Sequence, residues 1–236
     1  MEQSYSDVGG ELLETLDRSQ NFVNWMYSQI RPYLYGNLLE VGSGIGTYSK
    51  KIIRDFPDKK IILSDIDKKH LEILKTRFTS KNVTVKKVDL NKASDLNIKK
   101  INSVFGLNVL EHVEHDVTAL KNVYDLLEKG GRAIFLVPAH KVLFNPIDKE
   151  MGHYRRYTKK EIIYKVSKTK FKLRKLFYFN CFSIPGWYIS GNILKKNTIN
   201  ATSMKLLDTI APYLRLLEKH IINKKMGISL IMVLEK

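Results

Sequence analysis

The sequence predicts a single α/β domain in which helices flank a mostly parallel β-sheet. Short apolar runs alternate with segments whose apolar residues recur every three or four positions, and this alternation is typical of a parallel sheet. A glycine-rich turn follows the first run, and an aspartate ends each of the next two. The 236 residues, 44% of them hydrophobic, are enough for one domain with a full core.

Five apolar runs are the predicted strands of the first part of the chain. They cover residues 38–41, 61–64, 83–88, 103–107 and 132–137. After the first run, Tyr48, Ile52 and Phe56 recur every four positions and predict a helix with one apolar face. A similar stripe over 71–78 predicts the next helix.

The third predicted helix begins at about Asp116, as its N-cap, and stops at glycines 130 and 131. A long segment without a periodic pattern then runs from Pro138 to Thr158, and such loops are often functional. The remaining patterns predict two helices and two strands. The helices cover 11–31, which caps the site, and 203–222, with Pro212 at its start or at a kink. The strands cover 171–179 and 228–234.

The chain is strongly basic, with 40 Lys and Arg against 24 Asp and Glu and a formal charge of +16. A surface of that charge attracts anions. The single cysteine, Cys181, excludes an internal disulfide and a cysteine-based zinc site. The amino terminus lacks the basic and apolar regions of a secretory signal. A cytoplasmic location is therefore expected.

Residues 176–194 form the longest uncharged stretch, and their length alone would permit a membrane span. Pro185 and Gly186 would break such a helix in its middle, and several polar side chains disfavour its transfer into lipid. We therefore predict a buried strand end followed by an apolar turn or lid. A membrane-interface patch rich in Trp and Tyr is the alternative.

A glycine-rich turn joins the first predicted strand to the first helix of the core. Gly42, Gly44 and Gly46 expose bare backbone at a helix N-terminus, where an anionic ligand group binds well. The spacing is G-x-G-x-G, because Thr47 stands where a dinucleotide fingerprint has its third glycine. A tight structural turn stays open as the alternative.

Carboxylates follow the next two predicted strands. Asp65 is placed to receive the two hydroxyls of a ribose, and Asp89 lies where an adenine edge would be. Asp67 is more simply read as a helix N-cap. Together with the glycine turn, these positions predict a nucleoside site at the carboxyl edge of the sheet.

These motifs resemble the class I S-adenosylmethionine (SAM) dependent methyltransferases, in the broad group that holds the ubiquinone-pathway and type 11/12 enzymes. The resemblance covers most of the chain and implies a Rossmann-like fold with SAM as cofactor. It also implies a seven-stranded sheet whose last strand, near 228–234, inserts antiparallel. The motifs that carry it are EVGSGIG at 40–46, LSDID around Asp65, VDL around Asp89, NVLEHV at 108–113 and LLEKGGRAIFLVP at 126–138.

The resemblance divides the single domain into a helical cap (1–35), a SAM-binding core (36–138) and a part with the substrate loop, a helical insertion and the last strands (139–236). It also implies cofactor contacts along the core. The methionine part lies at Glu40, Gly42, Ser43, Gly44 and Gly46, the ribose at Asp65 and Ile66, the adenine at Asp89 and Leu90, and Asn108 close to the methionine end.

Some quinone-pathway relatives hold a divalent metal with acidic residues and a histidine around the LEH motif. Here Asn108 stands at the first acidic position, so that Glu111 and His112 remain. Two ligands make a poor magnesium site. No metal is therefore expected.

Methyl transfer requires that the protein align the acceptor with the methyl group, exclude water and, where needed, remove a proton. Candidate catalytic residues are His140, after the fifth strand, and His153 with Tyr154 in the long loop. Each histidine has an alternative role as a loop residue bonded to backbone, which is favoured for His112 and His115. The sequence leaves the choice of base open.

Ten basic residues and one acid lie between 155 and 175. A solvated face is the ordinary explanation, and a phosphate-binding or acidic-membrane surface is the sharper one. Arg155 and Arg156, with Trp187, are the predicted substrate contacts. The stretch 144–162 is similar to bacterial methyltransferases associated with glycan or lipid acceptors.

The predicted function is methyl transfer from SAM to a small-molecule, glycan or lipid-like acceptor, anionic in character, with peripheral association at the inner face of an acidic membrane. A nucleic-acid methyltransferase is the rival, but Val109 and Leu110 follow Asn108 where amino-methylating base enzymes carry two prolines. Cys181 also lacks the preceding proline typical of cytosine C5 chemistry. A non-catalytic SAM-fold binding protein is a third class.

Overall fold

The computed structural model of the protein describes residues 7–95, 98, 101–222 and 224–236. Its strands form one seven-stranded sheet. They are β1 (Leu38–Val41), β2 (Ile61–Asp65), β3 (Val83–Lys87), β4 (Ile101–Leu107), β5 (Leu127–Pro138), β6 (Lys172–Phe179) and β7 (Ser229–Glu235).

The strand order is β3-β2-β1-β4-β5-β7-β6. The first five strands are parallel, and β7 pairs antiparallel with both β5 and β6. The predicted α/β fold with a mostly parallel sheet and an antiparallel last strand is confirmed. The order reverses between β1 and β4, which is where open α/β sheets bind ligands at their carboxyl edge.

Nine α-helices lie within the described part of the chain. They are α1 (Asp7–Arg18), α2 (Gln20–Ile30), α3 (Ser49–Asp55), α4 (Lys68–Arg77), α5 (Asp116–Leu126), α6 (Pro146–Glu150), α7 (Lys159–Ser167), α8 (Ser183–Trp187) and α9 (Ala201–Leu217). Turns of 3₁₀-helix cover Arg31–Tyr33, Leu90–Asp95, Leu110–His112 and Lys141–Leu143, and π-helical turns cover Tyr188–Ile193 and Glu218–Ile222.

Apolar side chains fill both faces of the sheet. Successive residues of a strand point to opposite faces, so Leu39 packs in one cluster with α5 and α7, and Leu38 packs in the other with α2, α3 and α9. On the second face Trp25 of α2 is fully buried against Phe179 at the end of β6, with ring centroids 5.0 Å apart. These two layers cover both faces of the sheet.

The predicted helix over 11–31 is two helices. The break falls at Ser19, whose hydroxyl donates to the carbonyl of Thr15 while its N–H donates to the carbonyl of Leu16. These local bonds end α1, because a serine side chain that bonds to nearby backbone groups competes with continuation of the helix. Helix α2 enters the core through buried residues such as Trp25, whereas α1 packs at its edge through the partly buried Leu16.

The predicted end of the third helix is wrong by a few residues. Helix α5 stops at Leu126, and β5 begins at Leu127, which is buried and pairs with Ile101. Gly130 and Gly131 therefore lie inside a strand, where the pairing with β4 shifts register. Gly130 has a φ of 78°, so the glycines accommodate an irregular strand and do not cap a helix.

Asp116 is not the N-cap of α5. His115 occupies that position, and Asp116 is the first helical residue. Its carboxylate accepts hydrogen bonds from Lys165 at 2.8 Å and from the hydroxyl of Tyr157 at 2.9 Å. Asp116 thereby ties α5 to α7 and to the end of the long loop.

Pro212 does not start the helix predicted over 203–222. Helix α9 begins at Ala201, where the side chain of Asn200 caps the N–H of Thr202, and it continues through Pro212 to Leu217. The uncharged stretch 176–194 does contain a strand end at Phe179, followed by α8 and the turn Tyr188–Ile193. Within the described residues, no helix combines the length and the apolar character needed to cross a bilayer.

The segment between β5 and α7 is folded back on the sheet. It contains a 3₁₀ turn and the short helix α6, which begins with a capping box between Asn145 and Asp148. Ala139 and Tyr157 form a parallel bridge that closes the segment at its base. This closed segment, residues 139–157, is called the acceptor loop below.

Candidate active site

The glycine turn after β1 is close-packed. Gly42, Gly44 and Gly46 have φ values of 66°, 54° and 88°, in the left-handed region that favours glycine. A β-carbon added at Gly42 would lie 2.5 Å from the side chain of Val109, and one added at Gly44 would lie 3.3 Å from Leu13. The turn therefore admits no side chain at Gly42 without rearrangement.

Helix α1 lies over this turn. Its Asp17 pairs with Lys50 of α3 at 3.2 Å and with Arg77 of α4 at 3.1 Å. Arg77 also donates to the carbonyl of Ile45 within the turn. The first helix thus packs against the outside of the glycine turn.

Glu40 is the penultimate residue of β1, just before the glycine turn. Its side chain is almost fully buried and accepts a 2.5 Å hydrogen bond from the hydroxyl of Ser49. Burial raises the pKa of Glu40 to about 8. A carboxyl group that is neutral only because it is buried gains stability when a cation binds beside it.

Asp65 ends β2 and is bonded to the same turn. One carboxylate oxygen accepts the N–H of Gly44 at 2.8 Å, and the other accepts the N–H of Asp67 at 3.0 Å. Burial would raise the pKa of Asp65, but the neighbouring His70 and these backbone N–H groups lower it below the ordinary value. Asp67 is the predicted N-cap of α4, and its side chain accepts the N–H of Lys69.

The other predicted cofactor contacts lie along the same edge. Ile66 exposes 53% of its surface beside Asp65. Asp89 accepts the N–H of Asn91 at 2.9 Å, and Leu90 is buried at the start of the following turn. Asn108 follows β4 with a φ of 55° and an exposed side chain.

These residues fit SAM. The cofactor carries a cationic ammonium group, for which the buried carboxyl of Glu40 is a suitable partner. Its ribose offers two hydroxyls to an acidic group such as Asp65. The bare turn from Gly42 to Gly46 allows a ligand to approach the backbone closely.

A cluster of three side chains lies beyond the carboxyl end of β4. Glu111 and His112 come from the turn after β4, and His153 comes from the acceptor loop. The Nε2 atom of His153 lies 4.0 Å from a carboxylate oxygen of Glu111, and the two imidazole centroids are 4.7 Å apart. We call these three residues the EHH cluster.

The cluster is buried and polar. Neither carboxylate oxygen of Glu111 has a hydrogen-bond partner among the described residues, and burial raises the pKa of this group to about 7. Burial and the neighbouring His153 lower the pKa of His112 to about 4. A buried carboxyl group without a partner is costly in a folded protein, so this one marks a place where a ligand group would bind.

Asp148 orients His153. Its carboxylate lies 2.8 Å from Nδ1 of His153 and accepts the guanidinium of Arg156 through both oxygens at 2.9 Å. The N–H of Asn145 donates to it as well. With Nδ1 bonded to Asp148, the Nε2 atom is the one that faces Glu111.

The cluster adjoins the glycine turn through the chain itself. Val109 packs against Gly42, and Glu111 follows two residues later. The N–H of Tyr154 donates to the carbonyl of Glu111 at 2.8 Å, which fastens the acceptor loop to this turn. The side chain of Tyr154 remains about half exposed.

The predicted substrate contacts are bonded within the protein. Arg155 pairs with Asp116 at 2.9 Å, and Arg156 is buried against Asp148. The guanidinium of Arg156 also lies 4.4 Å from the ring centroid of Trp187, whose indole N–H donates to the carbonyl of Leu143. These side chains brace the acceptor loop.

His140 lies outside the EHH cluster. Its Nε2 atom is 3.0 Å from the carbonyl oxygen of Gly227. Its ring stacks on that of Tyr178 in β6, with the ring centroids 5.2 Å apart. Its φ of 63° marks the sharp turn at which the acceptor loop leaves β5. Of the two candidate histidines, the structure brings only His153 into the cluster with Glu111.

Sequence reasoning did not identify Asp148, and it weighed Glu111 only as part of an incomplete metal site. One signal could have found Asp148. Residues 148–156 read DKEMGHYRR, which places an acid, a histidine and two arginines close together in a loop. Ionisable residues grouped in a loop suggest a site more strongly than they suggest packing.

Glu111, His112 and His153 could also hold a metal ion, because one ligand atom from each lies within 4.8 Å of the others. Two imidazoles and a carboxylate are a ligand set known for catalytic zinc. The expectation of no metal rested on two ligands at the LEH motif, and His153 adds a third. That expectation stays a prediction, to be tested by chelation.

Comparisons with known proteins find methyltransferases. A family model described as a methyltransferase domain matches residues 39–133. Malonyl-[acyl-carrier protein] O-methyltransferase 1 of Ilyobacter polytropus is 24% identical over 172 residues, which are 68% of this chain and 63% of that protein. A second such enzyme of the same organism is 24% identical over 144 residues, which are 58% of this chain and 55% of that protein. The chain thus spans less than two thirds of either relative.

Solved structures share the fold. A SAM-dependent methyltransferase from Mesorhizobium loti aligns with a TM-score of 0.63 and 13% identity, over 90% of this chain and 98% of that one. One from Archaeoglobus fulgidus aligns with a TM-score of 0.63 and 16% identity, over 95% and 98%. The chain therefore has the α/β fold of these methyltransferases, and its residues 39–133 match a methyltransferase domain.

Proposed function

We propose that the protein transfers the methyl group of SAM to a hydroxyl oxygen of an anionic acceptor of the small-molecule, glycan or lipid-like class. The observation that supports a hydroxyl is the pair of His153 and Asp148. An alcohol must lose a proton as it is methylated, and a histidine oriented by a carboxylate is suited to take it.

SAM supplies, when bound, an electrophilic methyl group on a positively charged sulfur. The chain's own residues do the rest. The glycine turn, Glu40 and Asp65 hold and orient the cofactor, and α1 keeps water from the turn. In-line geometry of this kind accounts for much of the rate enhancement in group transfer.

His153 is the proposed general base. Its Nε2 atom takes the proton of the acceptor hydroxyl as the oxygen bonds to the methyl carbon and the carbon–sulfur bond breaks, with the electron pair staying on sulfur. Asp148 stabilises the imidazolium that results. Glu111, 4.0 Å from Nε2, stabilises the same positive charge.

A carboxylate acceptor is the second candidate. The two relatives from Ilyobacter polytropus are named malonyl-[acyl-carrier protein] O-methyltransferases. A carboxylate oxygen is already ionised near neutral pH and needs no base. The two candidates therefore differ in how much they depend on His153.

The proposal is tested with SAM that carries an isotope-labelled methyl group. The protein is incubated with lipid, glycan and small-metabolite fractions of a bacterial extract, and in parallel with malonyl-[acyl-carrier protein], and products are searched for the labelled methyl by mass spectrometry. A labelled methyl group on a former hydroxyl oxygen of an anionic product supports the proposal. Label only in malonyl-[acyl-carrier protein] supports the carboxylate candidate, and no labelled product in any fraction contradicts both.

A further inference from the structure

Helix α9 is apolar on two sides. Its inner side packs in the core through Met204 and Ala211, which are buried, against the cluster that holds α2. Its outer side carries four large apolar residues spaced four, three and four positions apart, which form one line along a helix. These residues, called the outer stripe, are Leu206, Ile210, Tyr213 and Leu217, and they are 63%, 38%, 71% and 43% exposed.

A second apolar surface precedes α9 in the chain. Tyr188, Ile189, Ile193 and Leu194 are each about half exposed. This segment is fastened to the acceptor loop, because Asn145 donates to the side chain of Asn192 at 3.1 Å. Exposed apolar residues on this scale are typical of interaction surfaces.

The exposed charged side chains of the same region are lysines and arginines. Residues 188–225 contain seven Lys and Arg and two acids. Both acids bond inward: Asp208 accepts the N–H of Phe22 at 2.8 Å, and the buried Glu218 accepts the N–H of Cys181 at 3.1 Å. The exposed cations are Lys195, Lys196, Lys205, Arg215, Lys219, Lys224 and Lys225.

We propose that the outer stripe and the segment 188–194 bind the surface of an anionic lipid bilayer. Apolar side chains that enter the headgroup region, flanked by Lys and Arg that meet lipid phosphates, are the design of interfacial helices. A second copy of the chain is a poorer partner, because two-fold pairing would bring the same cations together. Nucleic acid would neutralise the lysines and leave the aliphatic residues exposed.

This location differs from the basic stretch 155–175 that the sequence suggested. Several cations there are already paired, including Arg155 and Lys165 with Asp116 and Arg174 with Glu235. Paired cations have less to gain from lipid phosphate. The region after the acceptor loop combines exposed cations, in excess over acids, with exposed apolar side chains. It lies beside the loop that carries His153.

The test is co-sedimentation with phosphatidylcholine vesicles, with and without phosphatidylserine, at physiological ionic strength. The wild type is expected to bind only the vesicles with phosphatidylserine. The variant Leu206→Glu/Tyr213→Glu is expected to bind at least about tenfold more weakly, because two apolar anchors become anionic. Its control, Ile73→Glu/Tyr164→Glu, adds the same charge at exposed apolar positions of α4 and α7 and is expected to bind like the wild type.

Circular dichroism and SAM affinity confirm that both variants fold, and neither readout depends on the acceptor. An equal loss in both variants would show that net charge alone attracts the protein, which contradicts the proposal. So would a wild type that ignores the vesicles but sediments as a dimer dissociated by Leu206→Glu/Tyr213→Glu. Tighter binding to tRNA than to the anionic vesicles would also overturn it.

Discussion

His153 lies 2.8 Å from the carboxylate of Asp148, and both side chains are buried. The bond fixes one ring nitrogen and leaves the other facing Glu111. Because Asp148 also binds Arg156 and the backbone of Asn145, it cannot turn away without breaking the acceptor loop. The position of the proposed base is therefore set by the fold and does not depend on a bound acceptor.

Asp65→Ala is expected to weaken SAM binding by about 1.5 to 3 kcal/mol, because two charge-assisted hydrogen bonds to the ribose are lost. Isothermal titration calorimetry measures this directly. Asp67→Ala is the matched control, since Asp67 caps α4 and its loss should lower stability with little effect on affinity. Unchanged affinity in Asp65→Ala would remove the ribose assignment.

SAM binding is expected to release protons near pH 7. The pKa of Glu40 is raised to about 8 by burial, so its carboxyl is mostly protonated in the free protein, and a cation beside it lowers that pKa. Affinity should therefore rise with pH up to about 8. Calorimetry in buffers of different ionisation enthalpy measures the release, and Glu40→Gln should abolish this component. Equal proton release in both proteins would contradict the role of Glu40.

Chelation is expected to leave turnover unchanged, because His153, the third possible ligand of the EHH cluster, is proposed to take a proton at Nε2 and not to bind a metal ion. The measurement is methyl transfer before and after dialysis against EDTA, followed by metal analysis of the protein. Loss of activity that zinc or another divalent ion restores would identify Glu111, His112 and His153 as a metal centre. His153 would then be a ligand and not a base.

Asp148→Asn is expected to act through His153. The substitution keeps the shape of the side chain but removes the charge that stabilises an imidazolium, as in other oriented histidines. We expect turnover to fall with SAM affinity unchanged, and the pH profile of turnover to shift. Because Asp148 also holds Arg156, thermal unfolding is measured in parallel, and a fall in stability without a change in pH profile would assign Asp148 a structural role only.

Local sequence patterns were enough to predict an α/β domain with a mostly parallel sheet, while the antiparallel last strand was implied by the resemblance to known methyltransferases. Strand periodicity, the three glycines and the strand-end aspartates are all signals within a few residues. The patterns failed where a single residue decided between neighbours. Ser19 divides a segment that apolar spacing predicted as one continuous helix. Leu127 joins a strand because it pairs with Ile101, a contact that no local pattern encodes.

The EHH cluster could not be predicted in the same way. Glu111 and His153 are far apart in the sequence, and they meet because the acceptor loop folds back through the bridge between Ala139 and Tyr157. The length of the loop marked it as functional but did not say which side chains would be buried. The same limit explains Arg156, which the sequence predicted as a substrate contact and which lies buried within the loop against Asp148.

The central claim is that His153 removes a proton from the acceptor after SAM has bound. The most direct measurement compares His153→Ala with the wild type in SAM affinity and in turnover on the methyl-accepting fraction, with His140→Ala alongside and His115→Ala, at an exposed histidine, as the matched control. We predict that His153→Ala keeps its SAM affinity and loses turnover by about a hundredfold or more, while His115→Ala keeps both. Full turnover in His153→Ala would contradict this claim, and full turnover in both His153→Ala and His140→Ala would exclude either histidine as the base.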